Sequence, residues 1–209
     1  WDFGDGNTLT TTSAATNHVY STFGDYNVSL TVTTADGCIS AESTDIIVNP
    51  IPVADFIPGT ACHNSPVNFT NQTTISISNP TSLDWDFTSD GTVDLTTNQF
   101  PSGGDAQFTY PAAGTYNVTL TASSNNCVSA PITFTVTVNP LPNPDFTTLS
   151  ACEGQAVDFV NSTDTVGFSP TTFLWNFNTA LGLGSPTSTF ENPNYTYPSS
   201  GNYSVSLQA

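Results

Sequence analysis

Between residues 51 and 140, apolar and polar side chains alternate in short runs. Val67 and Phe69 alternate with Asn68 and Thr70. Leu83, Trp85 and Phe87 alternate with Asp84 and Asp86. Tyr116, Val118, Leu120 and Ala122 do so with Asn117, Thr119 and Thr121, and Ile132, Phe134, Val136 and Val138 with Thr133, Thr135 and Thr137. Successive side chains of an extended strand point to opposite faces, so each run predicts a strand with one apolar and one wet face. Antiparallel sheets solvated on one side carry this pattern, and two of them packed apolar face to apolar face make a sandwich. Turn formers separate the runs at Asp90-Gly91, Ser102-Gly103-Gly104, Pro111 to Gly114 and Asn125-Asn126. No segment carries a helical period. The predicted class is all-β.

The pattern repeats. Trp1-Asp2-Phe3 returns as Trp85-Asp86-Phe87 and as Trp175-Asn176-Phe177. Gly24-Asp25-Tyr26-Asn27-Val28-Ser29-Leu30 returns as Gly114-Thr115-Tyr116-Asn117-Val118-Thr119-Leu120 and as Gly201-Asn202-Tyr203-Ser204-Val205-Ser206-Leu207. Self-similarity at a fixed period marks a tandem array. A residue that recurs in every repeat serves the fold before it serves a unique active site. The phase predicts a first repeat over 1–50 lacking its front half, a complete repeat over 51–140, and a third over 141–209 lacking its last strand. On that reading the chain is a window on a longer protein. The junctions Asn49-Pro50-Ile51-Pro52 and Asn139-Pro140-Leu141-Pro142 predict short, stiff connectors, because proline fixes φ and favours extended backbone.

Charge narrows the function classes. The chain has no Lys and no Arg against 17 acidic residues, a formal charge of −17. Nucleic-acid binding is excluded, since phosphate contacts come mainly from Lys and Arg. Attraction to anionic membrane surfaces fails for the same reason. No lysine is present to form a Schiff base or an isopeptide cross-link, and a trypsin-like protease has no site to cut. No apolar run approaches the ~20 residues of a membrane span. The apolar content of 37% is low and the net charge high, a balance that favours disorder, but the regular Phe, Tyr and Trp positions argue for packed domains.

Trp1-Asp2-Phe3-Gly4-Asp5-Gly6, followed by His18-Val19-Tyr20 and the Gly24 to Leu30 strand, resembles the PKD domain, a module first recognised in the polycystic kidney disease protein. The second repeat carries the variant Trp85-Asp86-Phe87-Thr88-Ser89-Asp90-Gly91, and the third has lost Gly-Asp-Gly at Asn178. The resemblance implies tandem immunoglobulin-like β-sandwich domains, which with stiff connectors would be arranged as a rod. The cysteine positions, the acidic balance and the Asn-Pro-x-Pro junctions further resemble PKD arrays in very large surface proteins of Bacteroidota, including gliding-motility adhesins. That likeness implies a secreted, cell-surface protein whose partners are neighbouring repeats of the same chain or filament, with surface polysaccharide as a further candidate.

Four cysteines fall at two repeat positions, Cys38 with Cys127 and Cys62 with Cys152. Regular spacing and the absence of any Cys-x-x-Cys pair suggest disulfides in an oxidising compartment. A bridge within the complete repeat, Cys62–Cys127, is one pairing. The other joins the first connection of one repeat to the last connection of the next, because those connections lie at opposite ends of such a sandwich and a disulfide needs close Cα atoms.

Asp86, Asp90 and Asp94 space oxygens around a Gly turn in the manner of a calcium loop, without its later bidentate Glu. They are the candidate metal ligands, with calcium as the candidate ion, and the competing reading is a tight turn. Asp2, Asp5 and Gly6 form the matching set in the first repeat. His18, at the His-x-Tyr position, reads as a structural hydrogen-bonding residue. Asp84 and Asp86 fall on an outer strand face, where solvated charge is the ordinary state.

No Gly-x-Ser-x-Gly, His-Glu-x-x-His or phosphate loop occurs, and the two histidines lie in different repeats; the expectation is a segment without catalysis. Trp1, Trp85 and Trp175 take the inward phase and read as core rather than as a sugar platform, which leaves Phe100, Phe168 and Tyr195 as loop aromatics for ligand contact. Asn-x-Ser/Thr triplets start at Asn27, Asn68, Asn71, Asn117, Asn161, Asn194 and Asn202. Asp164-Thr165-Val166 resembles a Bacteroidota O-glycosylation acceptor, which makes Thr165 a candidate modification site. These features predict a structural and adhesive shaft, with a spacer or polysaccharide-binding segment of a secreted hydrolase as the alternative.

Overall fold

The computed structural model describes residues 1–76, 81–99, 103–164 and 172–209. It divides into two bodies, Trp1–Tyr110 with Thr115–Val138, and Pro111–Gly114 with Asn139–Ala209. Among the described residues all regular structure is β except one short 3-10 turn, and no helix is long and apolar enough to cross a membrane.

In the first repeat, β1 (Gly24–Thr33) and β2 (Ile39–Val48) form a hairpin paired without interruption from Gly24 opposite Val48 to Thr33 opposite Ile39. The Trp1-Asp2-Phe3 step lies beside it, with Asp2 and Ser29 exchanging both backbone hydrogen bonds at 2.8 and 2.9 Å. Phe3 is buried, but Tyr26, Val28 and Leu30 on the inward phase of β1 are only half-buried.

The second repeat closes fully. Its strands are β3 (Phe56–Pro58), β4 (Ala61–Cys62), β5 (Pro66–Asn71), β6 (Thr81–Asp86), β7 (Leu95–Gln99), β8 (Ala106–Thr109), β9 (Gly114–Ser124), β10 (Cys127–Val128) and β11 (Ile132–Asn139). One sheet runs β4-β11-β9-β6-β7 with β10 attached to β9; the other runs β3-β5-β8. The alternation read from the sequence is the burial alternation observed: every second residue of β6 is buried, as are Val118, Leu120 and Ala122 of β9. Ile132 and Phe134 of β11 are half-buried, while Val136 and Val138 are fully enclosed.

Phe56, Val67 and Phe69 from one sheet meet Leu83, Trp85, Val118 and Leu120 from the other in a single core. Trp85 is wholly buried, with Phe56 edge-on at 5.1 Å and Phe69 at 5.9 Å. Enclosing each such side chain contributes about 1.5–3 kcal/mol. Asn125 and Asn126 sit at φ 48° and 63°, the left-handed pair a two-residue hairpin turn requires, and so bring Cys127 opposite Ser124.

The third repeat reuses the plan with β12 (Phe146–Thr148), β13 (Ala156–Asn161), β14 (Leu174–Asn176), β15 (Thr187–Ser188), β16 (Asn194–Thr196) and β17 (Ser206–Gln208). Its sheets run β12-β13-β16 and β15-β14-β17. Trp175 lies opposite Leu207 in the same register that sets Trp85 opposite Leu120. A 3-10 turn, Thr179–Gly184, stands where Gly-Asp-Gly was lost, an element the alternation did not predict. The buried residues here are Phe159, Trp175 and Phe177, with Phe146, Val157, Val205 and Leu207 packed partly exposed around them.

Candidate functional site

The Trp-Asp-Phe step builds one hydrogen-bonded cluster three times over. A tyrosine hydroxyl donates to the carbonyl of the step's phenylalanine in every repeat: Tyr20 to Phe3 at 2.9 Å, Tyr110 to Phe87 at 3.1 Å and Tyr197 to Phe177 at 3.0 Å. The ring two residues earlier lies flat on that phenylalanine, as His18 on Phe3 at 4.1 Å, Phe108 on Phe87 at 4.7 Å and Tyr195 on Phe177 at 4.7 Å. The tyrosine of the Gly-x-Tyr strand then packs on the first tyrosine, tilted at 4.3 Å in the first repeat and stacked at 4.1 and 3.9 Å in the second and third. Tyr195, a loop aromatic on the sequence reading, is a half-buried strand residue of this cluster. Phe100, Phe168 and Thr165 lie outside the described residues. The indoles are committed as well, Trp85 Nε1 to Thr97 Oγ1 at 3.0 Å and Trp175 Nε1 to the Phe190 carbonyl at 2.9 Å.

The candidate metal carboxylates face the backbone. Asp86 accepts from the Thr88 amide at 3.1 Å and the Gly91 amide at 2.9 Å. Asp90 accepts from the amide and hydroxyl of Thr92, whose hydroxyl holds its carboxyl below the usual range. Asp94 reaches across the loop to the Phe87 amide at 2.7 Å. Each carboxylate thus closes a turn, and among the described residues no group of three His, Cys, Asp or Glu side chains is arranged to hold a metal.

In the first repeat, Asp5 accepts from His18 Nε2 at 2.7 Å. That bond, with further hydrogen bonds from Asn7, holds the Asp5 carboxyl down to about 2. The second repeat has Phe108 at the histidine position and no such pair.

No two of the four cysteines lie at bonding distance in the structure, Cys62 and Cys127 included. The turn chemistry separates them. Cys127 follows the β9–β10 hairpin turn with its Sγ 3.7 Å from the Asn49 carbonyl, whereas Cys62 ends β4, beside the turn whose Asn64 amide donates to the Tyr110 carbonyl. Asn27, Asn68 and Asn117 stand on outer strand faces, paired with Asp45, Gln107 and Thr135.

One feature was not read from the sequence. The second body carries an open cleft of about 630 Å³ between Thr148–Glu153 on one side and Ser199–Val205 on the other, floored by Val157 and Phe159. Its lining offers one carboxylate, Glu153, one thiol, Cys152, and several hydroxyls, but no histidine to activate any of them.

Residues 1–48 and, separately, 49–139 match the family described as PKD domain. A microbial collagenase of Vibrio alginolyticus is 33% identical over 91 residues, a stretch that is 38% of this chain and 11% of the collagenase. The PKD domain of an M14-like peptidase from a Thermoplasmatales archaeon is 25% identical, covering 43% of this chain and 96% of that domain at a TM-score of 0.34. A structure from work on the promiscuous specificity of carbohydrate-binding modules of the β-sandwich superfamily is 13% identical, covering 77% of this chain and 84% of its own at a TM-score of 0.34.

Proposed function

Because the chain belongs to the PKD domain family, we propose that it works as a run of non-catalytic sandwich modules in the extracellular part of a large surface protein, as a structural and adhesive shaft. One observation carries this reading: the tyrosine-to-phenylalanine hydrogen bond and its aromatic stack recur in all three repeats, while the side chains around them differ. What recurs is scaffold, and repetition of a scaffold supplies reach. The prolines at the junctions limit bending, which favours repeats in line as a rod. A surface without Lys or Arg resists trypsin-like proteases, which suits an exposed position outside the cell. Neighbouring repeats are then the chief partners.

A second reading rests on the 33% identity to a microbial collagenase. In it the repeats are a spacer or a polysaccharide-binding segment beside a hydrolase domain. Binding assays on the 209-residue chain separate the two. The shaft reading expects no saturable binding to collagen, chitin or cellulose, and regular linear particles in electron micrographs of the whole surface protein. Saturable binding to any of these polymers, or a hydrolase domain next to the repeats, would replace the shaft with the second reading.

A further inference from the structure

The connector between the first and second repeats is docked rather than free. β2 stays paired to its last residue, Val48 opposite Gly24, and the next residue is already held by the second repeat. Asn125 Nδ2 donates to Asn49 Oδ1 at 3.2 Å, and the Cys127 thiol donates to the Asn49 carbonyl at 3.7 Å. Both tethers come from the β9–β10 hairpin, whose turn holds Asn125 and Asn126 in the left-handed region. Ser129 braces that hairpin against the core strand β9. Its amide donates to the Ala122 carbonyl at 2.8 Å, and its hydroxyl accepts from the Ala122 amide at 3.0 Å.

Beyond Asn49 the connector keeps an extended alternation. Pro50, Pro52 and Ala54 are buried, whereas Ile51 and Val53 are 63% and 64% exposed. Val53 exchanges both backbone hydrogen bonds with Thr74 at 2.8 and 3.0 Å, and the Asp55 carbonyl accepts from the Gln72 amide at 2.8 Å. β3 then starts at Phe56. From Val48 to Phe56, at least every second residue is buried or hydrogen-bonded.

We propose that the β9–β10 hairpin is a latch that clamps the connector, so that the first two repeats turn as one rigid body. Proline fixes φ, which stiffens the connector but attaches it to neither repeat. Domains joined only by a linker move relative to one another by default. A tether at Asn49 removes that swivel, because it acts one residue after the last ladder pair of the first repeat. The inference rests on the shaft reading and gives its stiffness a location. The two fail separately: a swivelling junction would leave the polymer-binding results that test the shaft unchanged.

Amide relaxation of the 209-residue protein, resolved strand by strand, tests the latch. The expected result is one rotational correlation time shared by β1, β2, β6 and β9. Asn125→Gly with Cys127→Ala removes both tethers, and glycine accepts the left-handed turn. In that variant the correlation time of β1 and β2 should fall by about a third or more below that of β6 and β9. Slow amide exchange in β6 checks that the variant is folded. Asn49→Ala, which leaves the hairpin whole, should lower the same value by a smaller amount. Cys62→Ala, which touches neither tether, should change nothing. Three results would overturn the proposal: a shorter correlation time for β1 and β2 in the unaltered protein, a shared value that survives loss of both tethers, or an equal fall in Cys62→Ala.

Discussion

Replacing Tyr110 by phenylalanine removes one oxygen from the best-buried copy of the repeated cluster. The Tyr110 hydroxyl donates to the Phe87 carbonyl at 3.1 Å, and the side chain is 1% exposed. Burial, reinforced by Tyr116, raises its pKa, which keeps the hydroxyl protonated as a donor at neutral pH. The ring keeps its stack on Tyr116 at 4.1 Å and its edge contact with Phe108 at 4.9 Å, so packing changes little. What is lost is the partner of an enclosed carbonyl, which costs about 1–3 kcal/mol. At about 4–8 °C per kcal/mol for a domain of this size, the second repeat should melt roughly 4–24 °C lower.

Tyr20→Phe and Tyr197→Phe break the same bond where the tyrosine is only half-buried. Water can reach those carbonyls, so each change should cost about 0.5–1 kcal/mol. Segment-resolved hydrogen exchange reads the three repeats separately in one molecule. Equal losses in all three, or a loss below about 0.5 kcal/mol for Tyr110→Phe, would refute the claim that burial sets the strength of this bond.

Further outcomes follow from the same geometry. Gly4→Ala should destabilise the first repeat by more than about 2 kcal/mol, since φ is +77° and a Cβ would sit 2.6 Å from the Asn27 carbonyl oxygen. Gly6→Ala, with φ +89° but open space around it, should cost only about 1 kcal/mol in the same thermal melt. Asp5 has its carboxyl lowered from 3.8 to about 2 by His18, so the stability it contributes is complete above its unfolded value and drains away as pH falls from about 4 to about 2. Acid titration of the first repeat by exchange should show that step, and Asp5→Asn should remove it. Asp86→Ala should cost about 1–2 kcal/mol in calcium-free buffer, because two backbone amides lose their acceptor; an unchanged melting curve would contradict the turn-closing role.

The strands and their inward faces were legible in the sequence because side-chain direction in an extended chain is a local property. Leu83, Trp85 and Phe87 could point only one way once Asp84 and Asp86 pointed the other. The repetition, too, was legible, since a register that sets Trp85 opposite Leu120 must set Trp175 opposite Leu207. Partnerships across the fold were not. The Asp94 carboxylate accepts from the Phe87 amide at 2.7 Å, a contact that forms only when the loop closes. Tyr195 looked like a loop aromatic because its stacking partner, Phe177, is distant in sequence.

Hairpin geometry carries the Cys127 sulfur to the Asn49 carbonyl, a placement that spacing does not encode. The repeated cluster is the clearest case. Sequence by itself determined that Phe3, Phe87 and Phe177 recur at one position of the repeat. Only the tertiary structure decided that the hydroxyls of Tyr20, Tyr110 and Tyr197 meet their carbonyls, because the two residues of each pair are distant in sequence and adjacent only in the fold.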